Sequence, residues 1–383
     1  MKEPVNVFEY LDNLREQDGN RTQKFSSISR YISLKAREKG IPVSNQFELT
    51  PLCNFSCKMC YVHLDADQLQ GQKILSVDVW KDIMYQAWKA GMIRATLTGG
   101  ECLTYPGFDE LFLFLQDLGC EVAVLTNGFL LDDRRIQFFK EHIPAKIHIT
   151  LYGWNDDVYE RVTGERAFGT VMANICKAID AGLPISISVT PSSFLGEDVL
   201  ETIRVAKDLG REVIVNSGLF SPREETGRAE QQDDPEIDMY IRIYQLLNEL
   251  DGKETKKIDL EKLPPEGGED LNGQKRGLRC GGGRSGFIMD WRGTMIPCNR
   301  MDMIRTYPLQ EGFMEAWTRL NQQVNDWPVY AGCIGCPYIH VCNTCAGNQL
   351  SFAAPGEKPE GLCKRTKRFV CSGVMQLPDL ECD

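Results

Sequence analysis

The sequence lacks any apolar run approaching the roughly 18 residues that a membrane-spanning helix needs. Its opening stretch, MKEPVNVFEYLDNLREQ, is charged and amphipathic and holds no apolar block of the kind a secretory signal carries. Internal repeats and low-complexity tracts are absent as well. Positive charge is in deficit: 43 Lys and Arg stand against 54 Asp and Glu, a formal net charge of −11. That balance argues against broad binding to a nucleic-acid backbone. It leaves room for a basic substrate such as a peptide, although solubility alone accounts for it equally well. These absences lead us to expect a cytoplasmic protein with neither membrane nor nucleic-acid partners.

Cysteine, by contrast, is abundant, at fifteen in 383 residues. In a reducing compartment a chain of this length does not build a disulfide framework. An odd number also leaves one thiol over in any complete pairing. Grouped cysteines point instead to a metal or cluster, and most of these are grouped. Cys53, Cys57 and Cys60 form one set, and a second runs from Cys280 to Cys363. Cys102, Cys120 and Cys176 are scattered and read as small core or helix-face residues.

Length implies two or three domains. Residues 1–45 read as a helical extension with two apolar stripes, Phe8, Leu11 and Leu14, then Ile28, Tyr31, Ile32 and Leu34. From residue 46 to 219, six short apolar strands alternate with five amphipathic helices, which implies a parallel sheet with right-handed crossovers. Periodicity leaves open whether that sheet is doubly wound or a partial barrel. Either way, chemistry belongs at the C-terminal ends of the strands. Residues 220–279 are polar and broken, with one helix near 236–250, and read as a bridging region. Residues 280–383 carry the second cysteine group and a C-terminal tail. They show little regular pattern and suggest a thin apolar core in need of staples.

The first set, C-x3-C-x2-C, follows directly on the first strand. Three thiolates can hold three irons of a 4Fe–4S cubane and leave the fourth open to a small ligand. The competing reading is structural zinc with a distant ligand such as His63, although zinc favours paired C-x2-C units.

C-x3-C-x2-C followed by Tyr61, then LTGGECL, LTNG and ITLYG at successive strand ends, resembles the radical S-adenosylmethionine superfamily over residues 46–217. The resemblance implies a partial (β/α)6 barrel. It implies a cluster on Cys53, Cys57 and Cys60 whose open iron chelates the methionine end of S-adenosylmethionine. Gly99 and Gly100 would let backbone approach that methionine, and Glu101 would pair with its ammonium. Tyr61, Asn127, Thr150 and Arg161 fall at further cofactor-contacting positions. Cys102 stands where many relatives have Pro. The implied chemistry is reductive cleavage of S-adenosylmethionine to a 5′-deoxyadenosyl radical, which abstracts hydrogen from a substrate. An electron donor such as flavodoxin or ferredoxin would supply the cluster.

C-x12-G-x4-C at Cys280, Gly293 and Cys298, followed by Cys333, Cys336, Cys342, Cys345 and Cys363, resembles the SPASM extension of the same superfamily. One spacing departs from the pattern: two residues, not three, separate Cys342 from Cys345. The resemblance implies two auxiliary 4Fe–4S clusters, three clusters in all. Cys333, Cys336, Cys342 and Cys363 would hold one, and Cys280, Cys298 and Cys345 the other. Structural zinc stays open for these thiolates. A fourth ligand to the three-cysteine set could be Cys371, Cys382 or a non-cysteine group, or its iron could be open. Members of the subfamily mostly modify peptides or small proteins, so the first expectation is maturation of a ribosomal peptide by a thioether or carbon–carbon crosslink or by epimerisation. Where sulfatase maturases carry a basic Asp, this chain has Asn299, which cannot take up a proton. A sulfatase-maturase-like oxidase, a small-molecule alcohol dehydrogenase and a non-catalytic iron–sulfur or zinc protein remain alternatives.

Overall fold

A computed structural model describes residues 23–69, 71–216, 218–223, 237–253, 280–333, 336–342 and 345–375. The stripe Phe8–Leu14, most of the 220–279 bridge and Cys382 lie outside these residues. The second N-terminal stripe falls on a helix, α1 (Gln23–Lys39).

Six strands run parallel: β1 (Ser44–Glu48), β2 (Arg94–Thr98), β3 (Glu121–Thr126), β4 (Lys146–Thr150), β5 (Ile185–Val189) and β6 (Glu212–Val215). Each pairs with the strand before it, and the order β6-β5-β4-β3-β2-β1 never reverses. A doubly wound sheet must reverse at a switch point. Its absence makes this a singly wound, partial barrel.

Alternation sorts the two faces. Phe47 packs edge-on against Trp80 of α2 (Val77–Lys89), ring centroids 6.0 Å apart. Its neighbours Gln46 and Glu48 therefore point the other way, into the barrel. Leu97, Val124, Ile149 and Ile187 share the helix-covered face and are fully buried. The opposite face is more polar: Lys146 pairs with Glu212 at 2.9 Å, His148 Nδ1 meets Ser186 Oγ at 2.6 Å, and Thr150 meets Ser188 at 3.2 Å.

The outer layer comprises α2, α3 (Phe108–Asp117), α4 (Asp133–Glu141), α5 (Asp156–Thr163), α6 (Phe168–Asp180) and α7 (Asp198–Asp208). Sequence reading gave five helices between the strands. The sixth is α5, two turns in the β4–β5 connection. Asn155 caps its start by accepting from Val158 N at 2.9 Å, and Gly164, at φ +82°, ends it. The helix expected near 236–250 is α8 (Ile237–Leu250).

The expected lack of regular structure after residue 280 is corrected. β7 (Ile288–Met289) adds to the outer edge of β1 in parallel, and β8 (Met295–Ile296) turns back against β7. Gly293 makes the tight turn between them at φ +84°. A single-turn piece, α9 (Pro308–Glu311), leads into α10 (Phe313–Asn325). Phe313, Trp317, Leu320 and Val324 of α10 are buried in the same core as the barrel. Their spacing of four, three and four is a helical stripe. Neither β7 nor α10 depends on the cysteines to acquire a core. The last elements are α11 (Ala346–Leu350) and α12 (Glu360–Cys371).

Candidate active site at the strand ends

Beyond β1 the chain crosses the end of β2. Gly100 N donates to Thr50 O at 2.7 Å and Glu101 N to Leu52 O at 2.9 Å. A Cβ on Gly99 would stand 2.4 Å from Thr50 O, and one on Gly100 2.4 Å from Leu52 O. Gly99 also sits at φ +142°. Both glycines are thus required by the crossing of the chain over itself, whatever they allow a cofactor to do.

The crossing delivers Cys53, Cys57 and Cys60 to the top of the barrel. Burial pushes the Cys53 thiol up to about 12, and repulsion from Glu101 and Cys60 adds to it. Burial also raises Cys57 well above the usual thiol range, and repulsion from Cys60 and Cys53 adds to it. Backbone N–H groups reach two of them, Phe55 N to Cys53 Sγ at 3.4 Å and His63 N to Cys60 Sγ at 3.3 Å. The Tyr152 hydroxyl bonds to Cys57. Phe55 meets Phe129, Tyr152 and Tyr159 edge-on at 5.6–6.4 Å, which builds an aromatic wall behind the loop. Among the described residues, no three His, Cys, Asp or Glu groups converge as ligands of a single ion. Three thiols on one short loop, two of them accepting backbone N–H groups, fit the ligand set of an iron–sulfur cubane.

Glu101 is 1% exposed. Its Oε1 accepts from Leu103 N at 3.0 Å and Thr126 Oγ1 at 2.9 Å, and its Oε2 from Asn127 N at 2.8 Å. Burial raises the carboxyl, and these donors pull it back. Glu101 therefore ties the end of β2 to the end of β3, and an ammonium group would join bonds already made. Asn127 extends the tie to the cysteines: its Nδ2 donates to Asn54 Oδ1 at 2.8 Å and reaches Cys53 Sγ at 3.7 Å.

The two weaker cofactor positions lie further round. Thr150 is on the lumen face beside Ser188. Arg161 pairs with Asp198 and donates to Phe194 O at 3.1 Å, so a cofactor carboxylate would have to compete with Asp198. Cys102 is buried and donates to Leu125 O at 3.2 Å, a core contact.

Sequence reasoning missed one cluster. Arg223, 5% exposed, sends Nη1 to Glu48 Oε2 at 2.6 Å and Nη2 to Glu48 Oε1 at 2.8 Å. Nη2 also reaches Asn299 Oδ1 at 3.1 Å, and the Tyr61 hydroxyl donates to Glu48 Oε1 at 3.2 Å. Burial works against the Arg223 charge, but Glu48 outweighs it and holds the guanidinium more firmly protonated. The sequence signal was a Glu between Phe47 and Leu49 at the end of β1; its partner, 175 residues away, carried none.

In the C-terminal part, burial raises Cys298 to about 11, and Cys280 and Cys345 add to it. Burial raises Cys345 as well, and Cys280 adds to it. Asn348 N donates to Cys345 Sγ at 3.4 Å. Cys336 and Cys342 pack together against Tyr338 and Val370. Thr366 donates to Cys342 at 3.3 Å and Gln349 to Cys333 at 3.4 Å. Cys363 and Cys371 both lie on α12, and no disulfide joins any of the described cysteines.

Residues 47–209, which span the barrel, match the model of the Radical SAM superfamily. With its C-terminal cysteine sets, the fold is of the SPASM type. The chain is 25% identical over 332 residues to the AdoMet-dependent heme synthase of Methanosarcina barkeri (strain Fusaro / DSM 804), covering 81% of this chain and 92% of that protein. It is 26% identical over 171 residues to the sporulation killing factor maturation protein SkfB of Bacillus subtilis (strain 168), covering 44% of this chain and 41% of SkfB. Streptococcus suis SuiB, solved with S-adenosylmethionine and with precursor peptide SuiA, matches at 13% identity with a TM-score of 0.62 in each case. Those matches cover 94% and 91% of this chain and 87% and 82% of the SuiB chains. At that identity the likeness to SuiB is one of fold. No helix among the described residues is long and apolar enough to cross a membrane.

Proposed function

We propose that this radical SAM enzyme cleaves S-adenosylmethionine at the Cys53/Cys57/Cys60 site and modifies a ribosomally made peptide. The carrying observation is the convergence of those three thiols, one buried and two half-buried, with Glu101 and Asn127 at the strand ends, above a polar lumen. The cluster, when bound, supplies the electron that breaks the carbon–sulfur bond. The chain's own part is to hold and shield. Glu101 and the two glycines fix the loop. Phe55, Phe129, Tyr152 and Tyr159 exclude water from one side. The lumen presents His148, Thr150, Ser186 and Ser188 to a substrate. Cys333, Cys336, Cys342 and Cys363, and Cys280, Cys298 and Cys345, are assigned to two auxiliary 4Fe–4S clusters. A flavodoxin or ferredoxin is the assigned electron source. SkfB, by its name a maturation protein, and the peptide-bound form of SuiB support the peptide reading.

A second reading has one observation in its favour: the match to the AdoMet-dependent heme synthase spans 81% of this chain and 92% of that protein. On that reading the substrate is a tetrapyrrole.

Anaerobically reconstituted, reduced protein should form 5′-deoxyadenosine, and replacing Cys53, Cys57 and Cys60 together by Ala should abolish it. Retained cleavage in the triple variant would overturn the radical assignment. Faster deoxyadenosine formation with an iron porphyrin than with cysteine-bearing peptides would decide for the second reading.

A further inference from the structure

A short strap after β6, Gly218–Arg223, touches both cysteine-bearing regions. Tyr61 directly follows Cys60, and Asn299 directly follows Cys298. Arg223 binds to both: its backbone N donates to Tyr61 O at 3.0 Å, and its guanidinium reaches Asn299 at 3.1 Å while gripping Glu48. Its Cζ also lies 5.5 Å from the Tyr61 ring centroid. A second bridge runs alongside. Phe220 meets the Tyr61 ring edge-on at 5.3 Å, and Arg300, two residues past Cys298, lies over the Phe220 ring at 5.2 Å. One strap thus joins the residue after the first cysteine set to the residues after Cys298, anchored on β1.

We propose that the Glu48–Arg223 pair is a positioning device that sets the separation between the Cys53/Cys57/Cys60 site and the Cys280/Cys298/Cys345 site. The inference rests on the reading that both sites hold clusters. A planar guanidinium with both arms on one carboxylate fixes direction as well as distance, which a lysine cannot do. The charges are buried and paired, so the geometry has little freedom to relax through water. Electron transfer between two centres falls steeply with their separation. A link that fixes spacing therefore also fixes how readily an electron passes from one to the other.

The test uses full-length protein, reconstituted anaerobically and reduced. Iron content is read first, then the magnetic interaction between the reduced clusters by pulsed electron paramagnetic resonance, then deoxyadenosine formed per substrate turned over. Arg223→Lys and the double replacement Glu48→Leu with Arg223→Met are compared with the parent. The double replacement removes both charges, so no carboxylate is stranded in the core. The expected result is unchanged iron with a shifted or broadened inter-cluster splitting and more deoxyadenosine per turnover, weaker in Arg223→Lys than in the double variant. A double variant with full iron and the parent splitting overturns the proposal. So does loss of iron from either site, which would make the pair a folding element only. A parent protein with a single cluster instead overturns the auxiliary-site reading, and the iron analysis separates the two failures.

Discussion

Glu101 accepts the backbone N–H of Asn127 at 2.8 Å, so the carboxylate closing the β2 motif holds the turn closing β3. The two motifs are one hydrogen-bonded unit. Glu101→Ala strands the buried N–H groups of Leu103 and Asn127 at about 1–3 kcal/mol each. We expect the cofactor-free protein to lose about 2–4 kcal/mol in urea unfolding, in addition to weaker S-adenosylmethionine binding. Unchanged stability with weakened binding would show that the carboxylate serves the cofactor alone.

The glycines invite a sharper experiment. Gly99→Ala forces a left-handed backbone onto a residue with a Cβ and drives that Cβ into Thr50 O. A cost of at least about 2 kcal/mol follows from strain and overpacking. Thermal unfolding without S-adenosylmethionine would register it. A stable Gly99→Ala protein defective only in cofactor binding would contradict the crossing-chain explanation.

Iron content should reach about twelve per chain, by cubane stoichiometry for three clusters. Removing Cys280, Cys298 and Cys345 together should take away about four, and removing Cys333, Cys336, Cys342 and Cys363 another four or so. Replacing Cys371 and Cys382 by Ser should leave the total unchanged if the Cys280 set has no fourth cysteine. Loss of iron in that double variant would identify the missing ligand. Stoichiometric zinc at either set would make it structural instead.

His148 gives a pH prediction with a definite sign. Burial lowers its pKa below the usual 6.5, with help from Lys146, and Ser186 Oγ lies 2.6 Å from its Nδ1. The folded state therefore keeps the ring neutral while the unfolded chain takes up a proton. Stability should fall as pH drops below about 6.5. His148→Gln should flatten that part of the profile, measured as urea midpoints between neutral and mildly acidic pH. A parallel decline in both proteins would assign the effect elsewhere.

The barrel was legible because period-two strands and period-3.6 helices are local signals, and its motifs are short contiguous stretches. The grouping of Cys280, Cys298 and Cys345 rests on resemblance. Pairings across long stretches of chain were illegible. Glu48 could be seen as an acidic residue between Phe47 and Leu49, but nothing local names Arg223 as its partner. Two-residue strands such as β7 have no period to detect. The stripe of Phe313, Trp317, Leu320 and Val324 was readable in principle, and the density of neighbouring cysteines obscured it.

The pairing of β7 with β1 has a consequence for biosynthesis. Gln46 N donates to Phe287 O, and Phe287 N to Asn45 Oδ1 across 242 residues. The first barrel strand to leave the ribosome therefore waits for residues made more than 240 positions later before its outer edge is satisfied. Until then β1 offers bare N–H and C=O groups to any neighbouring chain, the arrangement that leads to edge-to-edge aggregation. A nascent or proteolysed chain ending before Gly286 would keep that edge open permanently. Yield of this protein should thus depend on how quickly the ribosome reaches its C-terminal part, before any iron is inserted.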